Sequence, residues 1–265
     1  MANTERKQAT GWKSLILQML FVIPAFAVLI GLGIWQLERL QWKEALLARI
    51  DSRIHATAQP LPPAANWPAM QPDEYDYLHV TVTGTYDHAH ETALFRAASG
   101  TGEAGGKPGY QILTPLLLAD GSAIIVNRGF VPLDYKDPST RMARQIKGDV
   151  TIHGLLRAPE DRNAFTPPDD PVKNVWFTRD PVAIARQIGL ARVAPFSIDQ
   201  DAIAVPASAR AEGMLMGGAT VLSVPNNHLS YAVTWFGLAA TLLGVFYVFA
   251  SRRLRAQPIN QEKMS

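Results

Sequence analysis

The chain has 265 residues, no cysteine and a mean hydropathy near zero. The missing thiol excludes disulfides, thiolate metal sites and thiol redox chemistry. The net charge of +2 is unevenly spread. Residues 1–13 carry net +2 (Arg6, Lys7 and Lys13 against Glu5) and residues 251–265 carry net +3, which leaves the centre at −3. The basic tails are too short for nucleic-acid binding, and membrane topology accounts for them.

Two stretches, Ser14 to Leu37 and Leu229 to Ala250, hold no charged residue. At ~1.5 Å of rise per residue each spans about 33–36 Å as a helix, enough for a hydrocarbon core of ~30 Å. Residues 14–37 and 229–250 are therefore read as transmembrane helices. The first is too long for the apolar region of a signal peptide, and its one Ala-x-Ala pattern, Ala25-Phe26-Ala27, lies inside the run, so it reads as an uncleaved anchor. Trp12 and Trp35 bracket it at interface positions, and Pro24 predicts a modest kink. Basic tails of 1–13 and 251–265 place both termini in the cytoplasm by the positive-inside rule. The centre then lies in the periplasm of a bacterial inner membrane.

The first helix is expected to continue through residues 38–58, because Leu37, Leu40, Leu47, Ile50 and Ile54 keep helical spacing among good helix formers. On it Trp35, Arg39 and Trp42 stand at i, i+4 and i+7, so a guanidinium can stack on indoles or simply snorkel within an aromatic belt. Prolines at 60, 62, 63, 68 and 72 make residues 59–72 a linker without regular helix.

Residues 73–224 read as a β-rich (α+β) domain. Leu78 to Thr83 alternates, with Leu78, Val80 and Val82 on one face. Glu91 to Ala97 is a partner strand. Gln111 to Leu118 and Ser122 to Val126 flank Asp120-Gly121, a two-residue hairpin signal. Val150 to Leu156, Phe196 to Ile198 and Thr220 to Val224 complete the strands. Asp180-Pro181 supplies an N-cap and first-turn pair, and Gly189 a stop, for a helix from Pro181 to Ile188. Local hairpins of this kind predict an antiparallel sandwich or partly open barrel. No internal repeat is present.

Motifs of familiar chemistry are sparse. Gly100-Thr101-Gly102-Glu103-Ala104-Gly105 matches a dinucleotide fingerprint, but Pro108-Gly109 and a strand follow where a helix is needed, so it reads as a flexible loop. His88-Ala89-His90 can set two imidazoles on one strand face as metal ligands, or form a polar turn with Asp87. No Gly-x-Ser-x-Gly elbow and no His-Glu-x-x-His occurs, so hydrolytic catalysis is not expected. Asn127-Arg128-Gly129-Phe130 ends a strand. Arg128 either pairs with an acidic neighbour while Gly129 permits a bulge, or forms a partner-docking surface with Phe130. At the mouth of the second span, His228, Tyr231 and Trp235 stand at i, i+3 and i+7 on one helix face. They make either an amphipathic interface belt or a ligand site.

Taken in order, the pieces resemble the surfeit locus protein 1 family. They are Gly33-Ile34-Trp35-Gln36-Leu37 with Arg39, Trp42 and Lys43; Gly84-Thr85-Tyr86; Gly109-Tyr110 with Pro115; Asp120-Gly121; Val126-Asn127-Arg128-Gly129; Gly154-Leu155-Leu156-Arg157; and Asn227-His228-Leu229-Ser230-Tyr231-Ala232 with Trp235-Phe236. The family usually carries Trp where this chain has Phe130. The resemblance implies a membrane factor, without catalysis, that assists assembly of cytochrome c oxidase with its haem/copper subunit and other assembly factors as partners. It also implies that some bacterial members bind haem a. On that expectation His228 is the candidate iron ligand. Trp35, Tyr231 and Trp235 line the macrocycle, and Arg39 and Lys43 pair with the propionates. The absence of thiols fits haem better than copper(I) delivery. The alternative is a haem-free scaffold that stabilises oxidase subunits.

Overall fold

The computed structural model describes residues 2–97, 107–202, 215, 217 and 226–255. The chain divides into two compact units, residues 1–48 with 224–265, and residues 49–223. The expected strand Thr220 to Val224 and the glycine-rich loop 100–105 lie outside the described residues.

The first unit contains most of helix α1 (Ala2–Ile54) and helix α4 (His228–Arg255). Both are long and apolar enough to cross a membrane, over Ile16–Ile54 and His228–Leu254. Helix α1 runs unbroken through Pro24 and past the end of its charge-free run. Its more sheltered positions include Leu29, Gly33, Gln36, Leu40 and Lys43, and those of α4 include His228, Ala232, Trp235 and Ala239. Steps of three and four residues make a seam of coiled-coil spacing, with small residues where the helices come close. Gly33 is essential to it. A Cβ there would sit 2.5 Å from the ring of Phe236, so the ring occupies the space a side chain would need.

The second unit is a β-barrel. Its strands are β1 (Gln59–Pro60), β2 (His79–Tyr86), β3 (Thr92–Arg96), β4 (Gly109–Leu117), β5 (Ala123–Pro132), β6 (Asp149–Arg157) and β7 (Val193–Gln200). They lie in the order β1-β2-β6-β7-β5-β4-β3, and β2 also pairs with β4 through Thr85–Leu117 and Tyr86–Leu116. Five strands therefore close on themselves, with β1 and β3 added outside. This corrects the expected sandwich or open barrel. A ring of five strands cannot alternate direction throughout, so one pair must be parallel. That pair is β5–β7. Closure also explains Gly84, whose Cβ would meet the Leu117 carbonyl at 2.5 Å across the β2–β4 seam.

The interior packs around Phe196, which meets Trp67 edge-on at 5.7 Å and Tyr75, of the short helix α2 (Pro72–Tyr75), at 4.9 Å between ring centroids. Val80, Leu116, Ile124, Val126, Ile152, Leu156 and Ile198 complete this core. Trp67 comes from the proline-rich segment, whose 3-10 turn Ala64–Ala69 packs onto the barrel while Gln59–Pro60 pairs with β2. Residues 59–72 thus contribute to the domain rather than merely leading to it. On the opposite side of β5, Ile125 joins Leu94, Leu113, Trp176 and Ile184. Ile184 belongs to α3 (Pro181–Gln187), whose Asp180 side chain accepts the Ala183 N–H at 3.0 Å as the expected cap. The apolar run 123–126 is continuous because β5 is covered on both faces.

The β4–β5 connection differs from a two-residue Asp-Gly turn. The Gly121 N–H donates to the Leu118 carbonyl and the Leu118 N–H to the Ser122 carbonyl, with Gly121 at φ +77°. Glycine occupies the left-handed position that closes this longer turn. A second clamp joins the end of α1 to the sheet: Arg53 donates to the carbonyls of Asp73 and Asp76, and His79 bridges the Ala56 carbonyl and the Asp201 carboxylate, both at 2.8 Å. Burial works against charging His79, but those two acceptors outweigh it and raise its pKa above the ordinary value. Its stabilisation is complete below the unfolded value of about 6.5 and is lost as pH rises through the folded value. His79→Gln should therefore cost more melting temperature near pH ~6 than near pH ~8.5. Equal losses at both pH values would remove His79 from the pH dependence.

Candidate functional site

In the helix unit the sheltered face of α4 carries His228 against Gln36, with imidazole Nδ1 2.7 Å from the Gln36 carboxamide oxygen. A carbonyl oxygen only accepts, so Nδ1 donates in this contact. Metal-binding imidazoles are commonly oriented in this way, by a hydrogen bond from the other ring nitrogen to a neighbour. Trp235 is half-buried two seam positions further on, beyond Ala232. Its indole N–H is enclosed and meets no hydrogen-bond partner among the described residues. Tyr231, by contrast, is exposed, as are Trp35 and Trp42. Tyr231 is rotated about 60° from His228 around an α-helix, which separates it from the seam. Arg39 lies over Trp42 at 4.1 Å, and Lys43 is half-buried on the α1 seam.

Sequence reasoning quoted Gln36 within a motif but gave it no site role. It is the seam residue of α1 that meets the candidate ligand, and its three-residue step from Gly33 was the available signal. Two motif pieces from opposite ends of the chain thus meet physically: Gly33 with Phe236, and Gln36 with His228.

The barrel motifs converge on buried charge. At the β5 bulge Arg128 and Gly129 face the single residue Ile112, with Gly129 at φ +123°. Arg128 points inward. Its guanidinium donates to Glu91 at 3.0 Å and lies over the Tyr86 ring at 4.7 Å. Glu91 also pairs with Arg141 at 3.0 Å. Burial lowers the Arg128 pKa, opposed by Tyr86 and Glu91, and burial pushes the Tyr86 phenol up to about 12 against the pull of Arg128. Arg128 is an internal strut. Phe130, half-buried, has its ring laid across Gly109, where a Cβ would approach within 2.2 Å.

A second network centres on Asp199 of β7. It accepts from Asn127 at 2.9 Å, Arg157 at 2.9 Å and Arg179 at 3.3 Å, tying β5, β6 and the α3 approach together. Burial disfavours the charge on Arg157, but Asp199, Tyr77 and Asp76 outweigh it and raise its pKa. Likewise Arg96 and Arg179 overcome burial to lower that of Glu160.

His88-Ala89-His90 forms a 3-10 turn, not a strand. His88 contacts Glu91 and the Ile146 carbonyl, whereas His90 contacts Asp87. Among the described residues no group of three His, Cys, Asp or Glu is placed to hold a metal ion. The charged barrel residues named by the motifs are thus engaged with one another, and His228 lies on the helix seam against Gln36.

These features define a class, a closed five-stranded barrel carried in sequence between two helices of membrane-crossing length. The sequence profile of the SURF1 family matches residues 23–240, and the chain belongs to that family. It is 34% identical over 250 residues to mouse "Surfeit locus protein 1", covering 91% of this chain and 76% of the mouse protein. The human protein of that name is 35% identical over 251 residues, at 91% and 78% coverage. A "SURF1-like protein" of Monosiga brevicollis is 35% identical over 244 residues, at 87% and 88% coverage.

Proposed function

We propose that this chain is a non-catalytic assembly factor for cytochrome c oxidase that holds haem a transiently and assists its passage to the haem/copper subunit. Family membership supports the assembly role. The haem role rests on one observation, the 2.7 Å contact that turns His228 Nδ1 to Gln36, so that Nε2 is the ring nitrogen left for a ligand. The residues present suit the group. Imidazole is an ordinary ligand of haem iron, Trp35, Tyr231 and Trp235 offer aromatic surface, and Arg39 and Lys43 are cations of the kind that would pair with propionates. Bound haem a would supply an iron that the His228 imidazole could ligate. The chain's own part is to present that imidazole in one orientation, with aromatic surface and cations nearby. The basic tails support an orientation with both termini in the cytoplasm of a bacterial inner membrane and the barrel in the periplasm.

The test is an absorption spectrum of full-length protein purified from cells that make haem a. His228→Ala should lower haem occupancy by about tenfold or more, corresponding to loss of ~1.4 kcal/mol or more of binding, while membrane insertion is retained. Arg39→Ala should weaken retention without changing the spectral type. Wild-type protein that never carries haem would favour the haem-free scaffold, and an unchanged spectrum in His228→Ala would remove His228 as ligand.

A further inference from the structure

His79, the first residue of β2, stands between two acceptors. Its Nδ1 lies 2.8 Å from the Ala56 carbonyl, just past the end of α1, and its Nε2 lies 2.8 Å from the Asp201 carboxylate, just past β7. A carbonyl and an ionised carboxylate both only accept. A neutral imidazole has one N–H, so it serves one of them and turns a lone pair on the other. Only the imidazolium, a donor at both nitrogens, makes both bonds. The side chains of His79 and Asp201 are 18% and 43% exposed, so water reaches the pair and the proton can leave and return. The two arms differ in strength, because a hydrogen bond to an ionised group is roughly twice as strong as one to a neutral group. On deprotonation the remaining proton therefore stays on Nε2, facing Asp201, and the contact that opens is the one to Ala56.

The place of Ala56 in the chain sets the consequence. It belongs to the link between α1 and β1. Gln59–Pro60 then pairs with β2, and the Leu61 N–H donates to the Thr81 carbonyl at 3.0 Å. Arg53, bonded to the carbonyls of Asp73 and Asp76, holds the last turn of α1 through contacts that do not involve His79. Opening is thereby confined to residues 55–61. The other titratable groups on the surrounding elements have their own places. Asp51 pairs with His55 on α1, and Glu74 of α2 accepts the Gln71 N–H, while Asp73 is exposed. Arg157 is taken up by Asp76, Asp199 and Tyr77, and Tyr75 packs on Phe196. His153 is the diagonal neighbour of His79 on β6, since Thr81 pairs with it, and a charge there would oppose one on His79. Burial also works against that charge, and the two acceptors of His79 outweigh it and raise its pKa. We propose that His79 is a proton-operated latch: when protonated it pins the link after α1 to the barrel, and when it loses its proton it releases Ala56 while keeping Asp201. The latch is shut below the ordinary imidazole value of about 6.5 and opens as pH rises through the higher folded value.

The experiment uses the full chain in detergent and two readouts. The first is hydrogen exchange of the peptide covering residues 55–61, followed by mass spectrometry in steps from pH ~5.5 to ~8.5 and corrected for the intrinsic pH dependence of exchange. Protection should fall by about fivefold or more across the range, the worth of about one hydrogen bond. His79→Gln, which cannot gain a charge, should abolish that fall. Asp201→Asn, which removes the charge that favours imidazolium, should move the fall to lower pH. The second readout is nitrogen NMR of chain labelled at histidine, with the His79 signals identified by their loss in His79→Gln. Both ring nitrogens should be protonated at the acid end, and at the alkaline end Nε2 alone should keep its proton. Constant protection in the unaltered chain, a fall that persists in His79→Gln, an unmoved midpoint in Asp201→Asn, or the proton found on Nδ1 at high pH would each overturn the latch.

Discussion

Replacing Asp199 with alanine should destabilise the barrel domain by about 3–5 kcal/mol, the range for removing one partner from a buried ion pair. Asp199 is buried and receives Asn127, Arg157 and Arg179. Without it Arg179, itself almost wholly enclosed, keeps only Glu160 at 3.7 Å among its described acidic partners. A typical domain has a margin of roughly 5–15 kcal/mol, so this change removes a large part of it. Chemical denaturation followed by circular dichroism measures the effect. A loss below about 1 kcal/mol would mean that the two guanidinium groups find water or other acceptors without Asp199.

The second large effect concerns the helices. Gly33→Leu places a branched side chain where the Phe236 ring now lies, and should force the seam apart. The cysteine-free chain makes this measurable. In the double variant Gln36→Cys/His228→Cys, oxidation should join the two helices, because those side chains already meet. Gly33→Leu in that background should reduce the cross-link by about tenfold or more, equivalent to ~1.4 kcal/mol of pairing. Undiminished cross-linking would show that the ring simply rotates aside. In the cysteine-free protein, Gly33→Leu should also lower haem occupancy if Gln36 is what orients His228.

Local chemistry made several elements readable in advance. The long helices announced themselves by the absence of charge from 14 to 37 and from 229 to 250, and α3 by a capping Asp180 next to Pro181. The alternation of Leu78, Val80 and Val82 marked the side of β2 that packs on the core. Pairings between distant residues were not readable. The parallel contact of β5 with β7 is set by closure of the whole ring, and a short apolar stretch at 196–198 gives no sign of its neighbours. Arg128 could be read as a strut or as a surface because its partner Glu91 lies on a different strand connection, 37 residues away. Gln36 was given no site role because an amide among apolar residues reads as a mere interruption until the opposite helix supplies an imidazole.

The odd number of strands also has a bearing on how the domain is made. Strand β7 is the last of the described strands to leave the ribosome, yet it lies between β5 and β6. Until residue 200 is available those two strands have unpaired edges facing a gap, and Arg157 and Arg179 await the carboxylate of Asp199. A nascent chain that stops short of this point holds nearly all its sheet but no closed barrel. Such edges pair readily with other chains. The first apolar helix is synthesised long before, so the incomplete sheet must wait while already tethered near its neighbours. Closure by a late central stave makes this domain dependent on protection during synthesis, and damage to β7 should appear as aggregation of new chains before it appears as unfolding of old ones.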